Sequence, residues 1–194
     1  MSTFRIVALA TISWAAVALG QSGYQSPELR TELFGGFSTV SVRPGKLNGE
    51  GLRRARLHGL TFTATSYHVF SRWGLTAEVT AGARDQDALE VSRQSYLFGG
   101  TFRAVQRRKL ALTGRILAGV DRWDPKRLPP GGYPGQNSFV FGFGQAIDLK
   151  MSENLAIRVQ PDLQFVRRKD SGGDTRMSLN TPLSVGLVLK FGKR

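Results

Sequence analysis

The segment that most constrains this chain is its last long one, Met177 to Phe191. The odd positions read Met177, Leu179, Thr181, Leu183, Val185, Leu187, Leu189 and Phe191, while the even positions include Ser178, Asn180, Ser184, Gly186 and Lys190. Successive side chains on a strand point to opposite faces, so this period of two describes one strand with an apolar face and a mostly polar one. Such a strand cannot stand alone. Its edges need hydrogen-bonding neighbours and its apolar face needs an apolar partner. The expectation is that the neighbours close a barrel and that the partner is lipid.

The same period recurs upstream. Residues 31–42 are β-branched and aromatic, with apolar residues on both parities (Leu33 and Phe37, Phe34 and Val40), so their facing is left open. Further strands are expected from His58 to near Val69, then over 73–84, 93–105, 110–121, 138–150 and 155–165. Counted this way there are eight, each about 11–15 residues long, where soluble strands average about 5–6 and tilted membrane strands need about 9–11. Short connections at 70–72, 106–109 and 152–154 alternate with longer ones at 43–56, 85–91, 122–137 and 168–175. Short turns on one rim and long loops on the other describe an up-and-down antiparallel transmembrane barrel, which needs an even strand number.

Alternation alone does not say which face points inward. The polar face is rich in Gly, Thr and Ser, and its mid-strand charges balance: Glu78, Asp148 and Asp162 against Arg103, Arg115 and Arg158. Small residues with paired charges suit a narrow lumen filled by side chains, and suit a solvated outer wall badly. The apolar face is therefore expected to meet lipid. Aromatic girdles are expected from Trp73 and Phe191 at the short-turn rim, and from Tyr96, Trp123, Phe139 and Phe165 at the long-loop rim.

Ahead of the strands, Arg5 precedes the uncharged apolar run Ile6–Leu19, with small residues at Ala18 and Gly20. That pattern predicts a cleavable signal peptide over 1–20, because a membrane helix needs about 20 apolar residues. The reading then assigns 21–30 to a periplasmic lead-in, 31–191 to the barrel and 192–194 to a tail. The chain has no cysteine, which removes disulfides, thiolate metal sites and a cysteine nucleophile. Its net charge of +13, from 27 Lys and Arg against 14 Asp and Glu, raises nucleic acid or anionic membrane as partners.

At this point a family becomes recognisable. Glu32-Leu33-Phe34-Gly35-Gly36-Phe37-Ser38 is similar to the first strand of the outer membrane protein β-barrel domain family, the small eight-stranded OmpA and opacity-type barrels. That family usually carries Gly-Gly-Tyr-Ser here, so Phe37 replaces a tyrosine. Ser71-Arg72-Trp73-Gly74-Leu75 is similar to its first periplasmic turn. Ser184, Gly186, Leu189 and Phe191 resemble the terminal signal read by the barrel assembly machinery, although many relatives end on the aromatic itself. The resemblance spans residues 31–191 and implies fold and compartment, not an activity. No peptidoglycan-binding domain is expected after the barrel, because the sequence ends at Arg194.

Candidate chemistry is sparse. Glu78, Arg103, Arg115, Asp148, Arg158 and Asp162 could do acid–base work or line a path, but buried charges persist when paired, so a structural plug is expected. Ser66 and His68 share a face, as a serine–histidine lipid hydrolase would need, yet His68 is expected near the short turns and lacks an obvious acidic third member. His58 and His68 make a poor metal site. The glycines of 129–135 are not followed by a helix or a Lys-Ser/Thr pair, so they do not form a phosphate loop. No catalytic, cofactor or metal residue is therefore assigned. Basic runs in the loops (Lys46, Arg53, Arg54 and Arg56; Arg122, Lys126 and Arg127) point to lipopolysaccharide phosphates rather than nucleic acid. The turn Arg107-Arg108-Lys109 reads as solvated. The expected partners are outer-membrane lipid, lipopolysaccharide, the assembly machinery and a surface ligand at the loops, for a monomeric structural or adhesin-like barrel. The alternatives are a narrow pore, a lipid-modifying enzyme, and a soluble barrel for a hydrophobic ligand.

Overall fold

A computed structural model of the chain describes residues 30–42, 46–47, 50–51, 55–67, 72–86, 89–127, 135–169 and 173–192. The expected signal peptide, the lead-in up to residue 29, His68 and the tip of each longer loop lie outside these residues. Eight long strands are present: β1 (Thr31–Val42), β2 (Ala55–Ser66), β3 (Trp73–Gln86), β4 (Leu89–Gln106), β5 (Leu110–Arg127), β6 (Gln136–Lys150), β7 (Leu155–Lys169) and β8 (Thr175–Phe191). Each pairs antiparallel with its sequence neighbours, and β1 pairs with β8 to close the barrel. The seam runs from Thr31 opposite Phe191 to Ser41 opposite Thr181. Closure removes every free edge, which is how an all-strand structure avoids unpaired backbone groups.

Glycines at the seam permit close strand approach. A Cβ on Gly186 would come within 2.1 Å of the Gly35 carbonyl oxygen and 2.3 Å of the Gly36 Cα. Gly114, by contrast, has nothing within 4 Å of such an atom.

The strands run further than expected on the long-loop side. The connection anticipated over 85–91 shrinks to residues 87–88, because the β3–β4 ladder continues to Gln86 opposite Leu89. The one over 122–137 shrinks to 128–135, because β5 and β6 stay paired to Trp123 opposite Gln136 and β4 pairs with β5 as far as Arg127. Within the first loop, Lys46–Leu47 pairs with Glu50–Gly51. The ladder thus outlasts the length that lipid alone requires. On the short-turn side, residues 107–109 join β4 to β5 and residues 151–154 join β6 to β7.

Facing follows the alternation. Large apolar side chains stand outward and exposed on every strand except β7, where the outward residues Ile157, Leu163 and Phe165 are half-buried. Phe62, Phe98, Ile116 and Phe139 are each 57–60% exposed. The open question of β1 resolves by parity, with Leu33 and Phe37 outside and Phe34 and Val40 inside. Trp73 and Phe191 lie outside at the short-turn rim, and Tyr96 and Phe139 outside at the other. Trp123 does not join that girdle. It is 1% exposed and points inward, because it continues the odd parity of Arg115 and Asp121 along β5.

Candidate functional site in the barrel lumen

Eight strands enclose just enough space for side chains. Here that space holds charge. Six buried cations (Arg93, Arg103, Arg115, Arg158, Arg168 and Lys190) face five buried carboxylates (Glu32, Glu78, Asp121, Asp148 and Asp162). All six residues expected in the network are there. Glu32, Lys190, Arg93, Asp121 and Arg168 join them.

The charges form three tiers. Nearest the short turns, Asp148 and Arg158 sit opposite each other on β6 and β7, and the Arg158 Nε donates to Asp148 Oδ1 at 2.6 Å. An Nη2 of Arg158 also donates to Glu32 Oε2 at 2.6 Å, joining residues far apart in sequence. Arg103 donates to the other Glu32 oxygen at 3.2 Å, and its guanidinium lies 3.5 Å over the Tyr67 ring. Lys190, opposite Glu32 across the seam, donates to Asp148 Oδ2 at 2.9 Å. Charge-assisted contacts of this kind are the strong ones, and an arginine fork can serve two carboxylates at once.

The middle tier is centred on Glu78. Arg115 donates to Glu78 Oε2, Gln160 donates to the same oxygen at 2.9 Å, and Thr63 at 3.2 Å. Arg115 Nε also lies 3.3 Å from Asp162 Oδ1, an ionic contact without hydrogen-bond alignment. Gly144 stands between these two in register, opposite Arg115 on one side and Asp162 on the other. A Cβ there would lie 1.7 Å from Asp162 Oδ1, so the glycine makes room for the carboxylate.

Toward the long loops, Asp121 accepts from Arg93 at 2.5 Å and from Arg168 at 2.9 Å, while Arg93 also donates to Gln164 at 2.7 Å. The Arg168 guanidinium lies 4.4 Å from the Trp123 ring centroid, a cation–π contact in a desolvated setting.

Apolar side chains share the lumen with the charges. Phe34, Ala156 and Val188 pack together; so do Leu97, Leu117, Val140 and Val166; and Val40, Val42, Ala55, Leu57 and Val91 pack with Trp123. The lumen is therefore a packed core with ionic layers, more apolar than the small polar residues of the alternation suggested.

The other expected candidates are divided between the lumen and the outer wall. Ser184 is in the lumen and bonds the Ser38 hydroxyl at 3.1 Å, while Leu189 and Phe191 face outward and are 48% and 50% exposed. Gly186 is at the seam. His58 is on the outer wall with its ring stacked 5.9 Å from Phe37. Ser66 ends β2, and its expected partner His68 is outside the described residues. Among the described residues no group of three His, Cys, Asp or Glu is placed to hold a metal ion.

An outward apolar wall around a charged, packed lumen inverts the arrangement of a soluble barrel. No family model matches the chain, and no curated protein matches it. Solved structures do. Neisserial surface protein A (NspA) is similar over 87% of this chain and 100% of its own, with a TM-score of 0.63 at 10% identity. OprG from Pseudomonas aeruginosa is similar over 86% and 98%, with a TM-score of 0.59 at 12% identity. Ail, the attachment invasion locus protein of Yersinia pestis, crystallised with the heparin analogue sucrose octasulfate, is similar over 84% and 99%, with a TM-score of 0.55 at 14% identity. The chain has the fold of the small eight-stranded outer-membrane barrels. Within that fold, the rings of Trp73 and Phe102 pack with centroids 4.9 Å apart at the short-turn end of the outer wall.

Proposed function

We propose that this outer-membrane-type barrel is exported by a signal peptide over 1–20 and inserted in the bacterial outer membrane. There it is a plugged, monomeric scaffold with a structural or adhesin-like surface role carried by its longer connections. The observation that carries this reading is the lumen itself, where the three ionic tiers and the apolar layers between them leave the charges 6% exposed or less. A pore lined for conduction keeps its charges wet; these are spent on one another. The names of two structural neighbours, a surface protein and an attachment protein, support a surface role. Lipid and lipopolysaccharide are the surroundings proposed for the outer wall, and the assembly machinery is the reader proposed for Ser184, Gly186, Leu189 and Phe191. Two measurements test the proposal. The membrane fraction should contain a species whose gel mobility shifts on boiling, and the purified protein should show little or no conductance in a planar bilayer. A steady open conductance would replace the scaffold by the narrow pore.

A further inference from the structure

Outside the ionic tiers, the short-turn rim presents the described cations Arg107, Arg108 and Lys109, with Lys150 beside them. Arg107, Arg108 and Lys109 are all exposed and form the whole β4–β5 turn. The turn is fixed in place: Arg107 N–H donates to the Leu110 carbonyl at 2.7 Å, and Lys150 N–H donates to the Lys109 carbonyl at 2.9 Å, tying it to the end of β6. Inside the rim the cations Lys190 and Arg103 are paired with Asp148 and Glu32, so the turn outside is where cations stand exposed together.

The apolar wall runs right up to these charges. Leu110 lies opposite Leu149, both outward and exposed, and Met151 is 65% exposed one step beyond. The next residue past Leu110 is a cation. The long-loop rim also carries exposed cations, Arg56, Arg122, Arg167 and Lys169 among them, but they are spread over separate strands and accompanied by Glu90, Asp124 and Asp174, with Lys126 paired to Glu90 and Arg176 to Asp174. A cluster of cations at the edge of a lipid-facing wall is placed to meet lipid phosphates, with the aliphatic stems still in the apolar layer.

We infer that the Arg107-Arg108-Lys109 turn is a binding site for the phosphate headgroups of anionic phospholipids in the leaflet on the short-turn side. The inference rests on the membrane-spanning reading above. The site acts as an electrostatic anchor, holding that rim at the lipid–water boundary. Charge and apolar contact come from adjacent residues, so an intact lipid satisfies both and a soluble anion only one.

Native mass spectrometry of the folded full chain, released from detergent with equal phosphatidylglycerol and phosphatidylethanolamine, reads the preference directly. The wild type should retain phosphatidylglycerol in excess, up to roughly fivefold for each cation engaged, and less at high salt. The variant Arg107→Ser/Arg108→Ser/Lys109→Ser should lose that excess, while Arg122→Ser/Arg167→Ser/Lys169→Ser at the other rim should keep it. Equal retention of both lipids by the wild type would overturn the inference. So would an equal loss in the two triple variants, which would mark a bulk-charge effect, or displacement by glycerophosphate as effective as by intact lipid, which would mark a free-anion site. The gel-mobility shift on boiling, measured on every variant, reports the barrel independently, so a failed lipid preference leaves the membrane reading standing.

Discussion

Replacing Arg115 by alanine is the sharpest probe of the plug. Arg115 and Glu78 have side chains only 2% exposed, and Asp162 is 4% exposed beside them. The substitution removes the one cation of the middle tier and leaves two carboxylates with only Gln160 and Thr63 donating to Glu78. Breaking a buried pair from one side costs about 3–5 kcal/mol, because the surviving charge stays desolvated. The assay is denaturant unfolding of the folded barrel in lipid vesicles, read by the gel-mobility shift. Arg122→Ala, on the exposed outer wall, should change stability by no more than about 0.5 kcal/mol. Adding Glu78→Gln to Arg115→Ala should recover part of the loss. If Arg115→Ala costs under about 1 kcal/mol and matches Arg122→Ala, the tier is hydrated and the plug argument fails.

Other perturbations reach different parts of the molecule. Gly186→Ala forces a Cβ into the Gly35 and Gly36 backbone and should weaken the β1–β8 seam by about 1–3 kcal/mol or more, whereas Gly114→Ala, with open space around it, should be near neutral in the same unfolding assay. Phe191→Asp should lower membrane insertion and raise periplasmic precursor in cell fractionation; unchanged barrel yield would remove the aromatic from the assembly signal. Trp123 is sealed in the lumen and Trp73 is exposed on the outer wall, so in the chain lacking residues 1–20, and with them Trp14, brominated lipid should quench the fluorescence of Trp73 and leave that of Trp123. Full quenching in a Trp73→Phe variant would put Trp123 back on the outer wall.

The period of two is a local property, and what it controls was legible in the sequence. It separated Leu183, Val185, Leu187 and Leu189 from Ser184 and Lys190, predicted eight strands, and put Glu78, Arg103, Arg115, Asp148, Arg158 and Asp162 on the inner face. Trp123 was legible too, since it continues the parity of Asp121; it was misplaced because the strand was ended where lipid would end it, while the ladder runs on to Arg127. Glu32 was hidden by apolar residues on both faces of β1, which left its parity undecided. What the tertiary structure alone decided is who meets whom. Arg158 reaches Glu32, Arg115 reaches Glu78, and Arg168 shares Asp121 with Arg93. These partners sit on strands whose relative height is set by strand tilt and by the register at closure, and a one-residue slip would turn each inner charge outward. Alternation sorts residues between two faces; only the closed barrel brings the members of one face within bonding distance.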